Sequence, residues 1–486
     1  MRSFVRGVNW TVLQQVANIG VNYASLILLA RFLSPADFGL VALSTVLTGL
    51  FETLNGFGLP QLIVRERVTD RVRIGFYLAL SLGLSALLAF LCILIAQLYA
   101  WQYGGVYRSD LLAVITVSSG ALLLSSVVAI YQAQHQRDLD FRRPAIISML
   151  SLLAGNALAV WQAAQWGDYW ALVTRNVAPQ FFLMCGFVFF STYRPAFRLR
   201  QRLPLEERHF AFWLSGNQIV NYLSRNLDYL VIGRFFDIGI VGQYSIAYRL
   251  MLAPMKLLSS RVQAVLYPTL ARMRDNPERI LSFYEKTVSY ISFAVFPLMG
   301  LAGVAAPLWA PWILDTGRYD AMVPLIQWLT VAGAFQAVTS PIGSLYLVFG
   351  MVRLMTAYST ASALVFLAGY GLGAWSGDIV IFAIIYTFLS VAINYFASNY
   401  VPLTRLGYPF GRFVRQTLEP ALPAVVAYAL LWAWLTRLAP RMPAAHPALA
   451  TALATAAYAG LYFAAYAGCF GAALRDKIKQ LKTLVS

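Results

Sequence analysis

RNLDYLVIGRFFDIGIVGQYSIAYRLMLAPMKLLSSRVQ, Arg225 to Gln263, has the composition of a membrane interior, yet Arg225, Asp228, Arg249 and Lys256 are set into it. A charge at bilayer depth costs about 2.5 to 3.5 kcal/mol on insertion scales, so it faces protein, water or a ligand rather than lipid. Three bases against one acid point to a cavity that accepts an anion.

The rest of the chain suits that setting. Of its 486 residues 59% are hydrophobic and 12% charged, with a mean hydropathy of +0.65. Apolar runs of roughly 20 residues or more recur throughout, which defines an all-α polytopic membrane protein. Fourteen spans are expected: 9–33, 38–64, 74–99, 111–134, 145–166, 169–190, 212–236, 238–273, 287–314, 322–349, 354–375, 379–403, 418–438 and 448–470. The net charge of +17 would suggest nucleic acid in a soluble protein. Here the bases collect in the loops after spans two, four, six, eight and twelve, at the N-terminus and in the tail RDKIKQLK. The opposite loops hold little beyond Arg31, Arg108, Arg234, Arg318, Arg437 and Arg441. The positive-inside rule therefore places both termini in the cytoplasm. Arg2 and Arg6 lead into a helix too long for a signal-peptide core, so it reads as a retained first span. Cys92, Cys185 and Cys469 all lie in apolar runs and define neither a disulfide framework nor a zinc spacing.

An internal repeat emerges when the chain is shifted by the distance from Arg31 to Arg234. Trp10 then falls on Trp213, Gln15 on Gln218, Asn18 on Asn221, Asn22 on Arg225, Arg31-Phe32 on Arg234-Phe235 and Gly39 on Gly242. Gly167-Asp168 before span six similarly matches Gly377-Asp378 before span twelve. Spans one and seven both start inside, so the expectation is two six-helix halves in parallel orientation. The expected limits are 1–210 and 211–417, with 418–486 holding the last two spans and the basic tail. Parallel repeats build transporters that alternate access by rocking one half on the other, with the site between them.

Four polar stripes fall on the first two spans of each half. Gln15, Asn18 and Asn22 share one face of span one, and Gln218, Asn221, Arg225 and Asp228 share one face of span seven. Thr45, Thr48, Glu52 and Asn55 line span two; Arg249, Lys256, Ser260, Gln263 and Tyr267 line span eight. Such stripes serve either interhelical hydrogen bonding or a shared aqueous cavity, and their placement on matching helices favours the cavity. Asp228, one turn from Arg225, either neutralises it or belongs to the cavity. Glu52 either pairs with a base across the cavity or titrates. Arg261 and Arg175, near span ends, are expected to snorkel. Arg31 and Arg234 close the Arg-Phe repeats at the outer surface and are expected to be anchors or lobe-to-lobe contacts rather than ligands. Pro254, between Arg249 and Lys256, removes one backbone bond and kinks the helix.

No phosphate-binding loop, HExxH motif or attached soluble domain occurs, so neither a directly driven ATPase nor a metal centre is expected. Asp138-Leu139-Asp140 matches the DxD of nucleotide-sugar transferases, but it sits in a short connection without a nucleotide-binding domain. No catalytic group is assigned.

LLARFLSPADFGLVAL, Leu28 to Leu43, and ETLNGFGLPQLIVRE, Glu52 to Glu66, resemble the opening helices of the polysaccharide-exporting flippases. These are the Wzx-like branch of the multidrug/oligosaccharidyl-lipid/polysaccharide (MOP) superfamily. Asn226 to Leu250 and Val265 to Ile280 are similar to the same family, nearest to its colanic-acid and succinoglycan exporters. The resemblance implies two lobes around a central cavity in a bacterial inner membrane. It implies an undecaprenyl-pyrophosphate-linked oligosaccharide as substrate, turned from the inner to the outer leaflet, and a polymerase and glycosyltransferases as pathway partners. It also implies that the last two spans border a groove for the polyprenyl tail, against the alternative of simple packing. A pyrophosphate needs a basic, dehydrated site, for which Arg225, Arg249 and Lys256 are the candidates. Gln15, Asn18, Asn22, Gln218 and Asn221 would carry sugar hydroxyls. Glu52 and Asp228 are the candidate carriers of a coupled H+ or Na+, and no other cofactor is expected. The competing functions are a lipid II flippase, a drug or cation antiporter of the multidrug branch and, from another class, a polysaccharide polymerase or membrane glycosyltransferase.

Overall fold

Helix punctuation in the sequence fixes most of the element boundaries. A computed structural model describes residues 2–55, 58–65, 69–101, 106–138, 140–191, 193, 219, 222–223, 226–273, 276–314, 321–437 and 447–485, and no strand occurs among them. By contact the chain divides into Met1–Gln243 and Tyr244–Ser486. The expected limit at 210/211 lies outside the described residues.

The first unit contains α1 (Arg2–Phe32), α2 (Pro35–Leu54), α3 (Leu59–Arg65), α4 (Arg71–Trp101), α5 (Val106–Arg137), α6 (Arg142–Trp166), α7 (Trp170–Phe190), α8 (residues 226–235) and the start of α9 (Ile238–Arg272). Ser34 caps α2 through a reciprocal exchange with Asp37, and Pro35 occupies the first turn, where its missing N–H costs nothing. Asp237 plays the matching part for α9, its Oδ2 accepting from the Gly239 N–H at 2.8 Å. Asn55, at the break after α2, donates to Leu122 O at 2.7 Å and to Ser125 Oγ, and so fastens α2 to α5. Gly167 closes α6 in the left-handed conformation at φ 62°. Helices α6 and α7 form a close hairpin, because Gly155 leaves its side-chain space to the ring of Pro179.

In the second unit, α10 (Pro277–Val304) lies at the centre. It packs on α12 (Met322–Thr339), α17 (Phe410–Leu418), α18 (Ala421–Arg437) and α19 (Pro447–Val485). Tyr284, Val288, Val295 and Met299 of α10 join Ala337, Tyr395, Phe413, Ala427, Tyr462 and Tyr466 in one buried core. Several expected spans are built from two pieces. Span nine is α10 followed by α11 (Ala306–Leu314), and span ten is α12 followed by α13 (Ile342–Val348). Span eleven is α14 (Val352–Trp375). Span twelve is α15 (Ile379–Leu389), a π-helical stretch Ser390–Ala397, and α16 (Ser398–Arg405). Gly377 precedes α15 in the same left-handed conformation, φ 69°, as Gly167 before α7, so the Gly-Asp match of the sequence is one device used twice. The last pair begins one short helix earlier than expected, at α17, and α19 breaks at Phe470 (φ −140°, ψ 38°) before the basic tail.

Ten helical segments among the described residues are long and apolar enough to cross a membrane. Helices α1, α9 and α14, of 31, 35 and 24 residues, have the length but are not among them. Two of these three, α1 and α9, are among the helices whose sequences carry polar stripes.

Candidate functional site

The polar face of α1 is committed to its neighbours in the first unit. Asn22 Nδ2 donates to Asn18 O at 2.7 Å. The Arg175 guanidinium, reaching from α7, donates from Nη2 to Asn22 O at 3.0 Å and from Nε to Ser25 Oγ at 3.0 Å. Ser25 Oγ in turn bonds Asn156 Oδ1 of α6, and Asn156 Nδ2 donates to Leu152 O at 2.9 Å. Arg175 is 9% exposed, so the expectation that it snorkels is corrected: it is buried among three helices. A guanidinium has five donors in a fixed fork, and neutral oxygens on two sides suit it better than a lipid-facing route to the surface. Asn22 is half-buried, with its amide used within the protein. Gln15 and Asn18 are half-buried on the same helix, and Asn18 Oδ1 is buried without a hydrogen-bond partner.

The stripe of α2 divides between packing and exposure. Thr45 and Thr48 return their hydroxyl hydrogens to Val41 O and Ser44 O of their own helix, and Asn55 is the tie to α5. Glu52 is exposed. Tyr222, which sequence reasoning missed, donates to Val46 O at 2.9 Å and contacts Thr45 O at 3.2 Å. Its ring end fits only because residue 49 is glycine; a Cβ there would lie 2.4 Å from the Tyr222 hydroxyl. Thr45, Gly49 and Glu52 share one helix face, so Tyr222 and the Glu52 carboxylate lie on the same side of α2.

Among the charges of the opening stretch, Asp228 is 2% exposed within α8, and Arg249 is half-buried in α9. Lys256 belongs to α9, with its side chain outside the described residues. Gln218, Asn221 and Arg225 also lie outside them. Arg31 is exposed, and the Arg234 guanidinium stands 5.9 Å over the Phe235 ring, as an anchor at a helix end would.

The DxD connection is a structural tie. His135, 1% exposed, bonds Asp140 Oδ2 at 3.0 Å through Nδ1 and contacts Ser191 Oγ at 3.3 Å through Nε2. This Ser–His–Asp order has no nucleophile to offer, because Ser191 is 3% exposed and its oxygen accepts from the Tyr193 N–H. Asp138 bonds both Arg137 and the Tyr193 hydroxyl. The Arg137 hydrogen bond holds the Asp138 carboxyl at about 2, and burial pushes the Tyr193 phenol up to about 12. The clamp therefore keeps its charge state through the neutral range. It joins the C-terminal ends of α5 and α7.

The described residues thus form capped helices, ten segments of which are long and apolar enough to cross a membrane. Comparison with solved structures shows the fold to be shared with known membrane proteins. The chain is similar to a lipid II flippase MurJ in an inward closed conformation, with a TM-score of 0.74 at 11% identity over 98% of this chain and all of the other. It is also similar to an inward-facing MATE multidrug transporter, with a TM-score of 0.60 at 12% identity over 83% of this chain and 98% of the other.

The chain belongs to the polysaccharide biosynthesis protein family, whose model matches residues 28–324. It is 26% identical over 439 residues to the lipopolysaccharide biosynthesis protein WzxC of Escherichia coli (strain K12), covering 88% of this chain and 87% of that protein. It is 26% identical over 307 residues to the succinoglycan biosynthesis transport protein ExoT of Rhizobium meliloti (strain 1021), covering 63% and 62% of the two chains. With the teichuronic acid biosynthesis protein TuaB of Bacillus subtilis (strain 168) it shares 24% identity over 77% of each chain.

Proposed function

We propose that this chain flips an undecaprenyl-pyrophosphate-linked oligosaccharide from the inner to the outer leaflet of a bacterial plasma membrane, for export of a surface polysaccharide. The observation that carries this reading is the match along most of the chain to proteins named for polysaccharide biosynthesis and, in one case, for transport, on a MOP-type fold. The intramembrane charges give the reading its chemistry. Arg249 is held half-buried on α9, with Lys256 two turns further along the same helix, about 10 Å away. With Arg225, they are assigned to the pyrophosphate. Glu52, exposed on α2, and Asp228, buried on α8, are assigned to a coupled H+ or Na+. Both termini lie in the cytoplasm, and the pathway's polymerase and glycosyltransferases are its working partners.

The test is complementation of a strain whose own exporter of lipid-linked repeat units is deleted. The intact chain restores surface polysaccharide, and without it the lipid-linked oligosaccharide accumulates. A lipid II flippase is the second reading, favoured by the full-length fold match to MurJ. Rescue of a strain depleted of its lipid II flippase, with no effect on surface polysaccharide, would select it.

A further inference from the structure

The most distinctive contact in the first unit involves no side chain. A Cβ built on Gly39 of α2 would lie 1.8 Å from Ile238 O and 3.1 Å from Gly242 N. A Cβ built on Gly242 of α9 would lie 1.8 Å from Pro35 O and 2.8 Å from Gly39 N. The shift that carries Arg31 onto Arg234 carries Pro35 onto Ile238 and Gly39 onto Gly242. Each glycine thus meets the repeat counterpart of its own neighbour, and the contact has local two-fold symmetry. The caps obey the same shift, Ser34 on Asp237. Two helix starts cross here on bare backbone, with a glycine Cα–H directed at a carbonyl oxygen of the other helix on each side. Close crossings of membrane helices use small residues for this purpose.

We infer that the Gly39–Gly242 crossing is the outer seal of the transport path, a contact that must part each time substrate leaves toward the outer leaflet. The inference rests on the flippase reading, and on the loop charges that put this end of α2 and α9 outside. At its centre two helix backbones meet through Cα–H···O contacts, which are individually weak. Backbones this close shut the path tightly, and contacts this weak at the crossing let them separate again. The symmetry explains why the glycine is repeated although Asn22, upstream, gives way to Arg225.

Alanine at either position is a wedge, because side-chain Cβ atoms essentially never come within 3.0 Å of another heavy atom. The seal would then be held open. The experiment uses the full chain with Cys92, Cys185 and Cys469 replaced and with Thr45→Cys as reporter, about 9 Å along α2 inward of Gly39. A membrane-impermeant maleimide is applied to spheroplasts and to inverted vesicles. In the glycine parent, labelling is slow from outside and faster from inside. In Gly39→Ala and in Gly242→Ala, outside labelling rises several-fold. Equal outside rates in parent and variants overturn the seal. Where an alanine variant fails to accumulate in the membrane, the parent decides alone, and rapid labelling from outside overturns the seal. The lipid-linked oligosaccharide pool is measured in the same cells. A pool unaffected by deleting the chain removes the flippase reading while leaving the labelling result to stand or fall separately.

Discussion

Arg175 shows what a periodic pattern of polar residues hides. The stripe Gln15, Asn18, Asn22 was legible because side chains three and four residues apart share a helix face. Which neighbour the stripe meets was not legible, since periodicity fixes an angle around one axis and says nothing about the helices beyond it. The same limit made Arg175 read as a snorkelling residue, because its partners Asn22 and Ser25 lie on another helix. Once buried, the guanidinium supports α1 through Asn22 O and Ser25 Oγ. Arg175→Gln removes two charge-assisted bonds and leaves buried acceptors short of donors, a cost on the order of 2–3 kcal/mol. Thermal unfolding in detergent should show a clear drop in Tm for the glutamine variant and a smaller one for Arg175→Lys, which keeps the charge but loses the fork. An unchanged Tm for both would mean that the node does not support α1.

At the scale of elements, the sequence placed spans well and their interruptions poorly. Ser34, Pro35 and Asp37 announce the start of α2 by composition alone, and Gly167 and Gly377 mark their turns. The π-helical stretch Ser390–Ala397 and the division of α10 from α11 left no trace in the sequence pattern, because neither interrupts its apolar run with a charged residue. Close helix contacts were likewise invisible until the partner was known. Gly155 is one: a Cβ there would lie 2.5 Å from Pro179 Cδ, so Gly155→Ala overpacks the α6–α7 hairpin at a cost of about 1–3 kcal/mol. Gly20 and Gly83, which have nothing within 4 Å of such a Cβ, are the controls, and alanine at either should leave Tm unchanged or slightly raised. Equal losses at all three sites would contradict this packing account.

The whole molecule was the most legible scale. Apolar runs gave the fold class, and the loop arginines gave an orientation that fusions can check. A fluorescent protein fused after Ser486 should fold and fluoresce, and alkaline phosphatase at the same point should stay inactive, as a cytoplasmic C-terminus requires. The repeat gave the offset at which Gly39 and Gly242 later met. Sugar specificity was not legible, because hydroxyl recognition depends on the spacing of groups across helices rather than along one. The central claim concerns the charges of the opening stretch, and one measurement bears on it most directly. In the complemented deletion strain, Arg249→Ala and Lys256→Ala are introduced singly and together, and the lipid-linked oligosaccharide is assayed by leaflet with a membrane-impermeant sugar-oxidising reagent. The account predicts normal amounts of the protein in the membrane, oligosaccharide trapped on the inner leaflet, and export lost in the double variant. Normal export with the oligosaccharide reaching the outer leaflet in the double variant would contradict it.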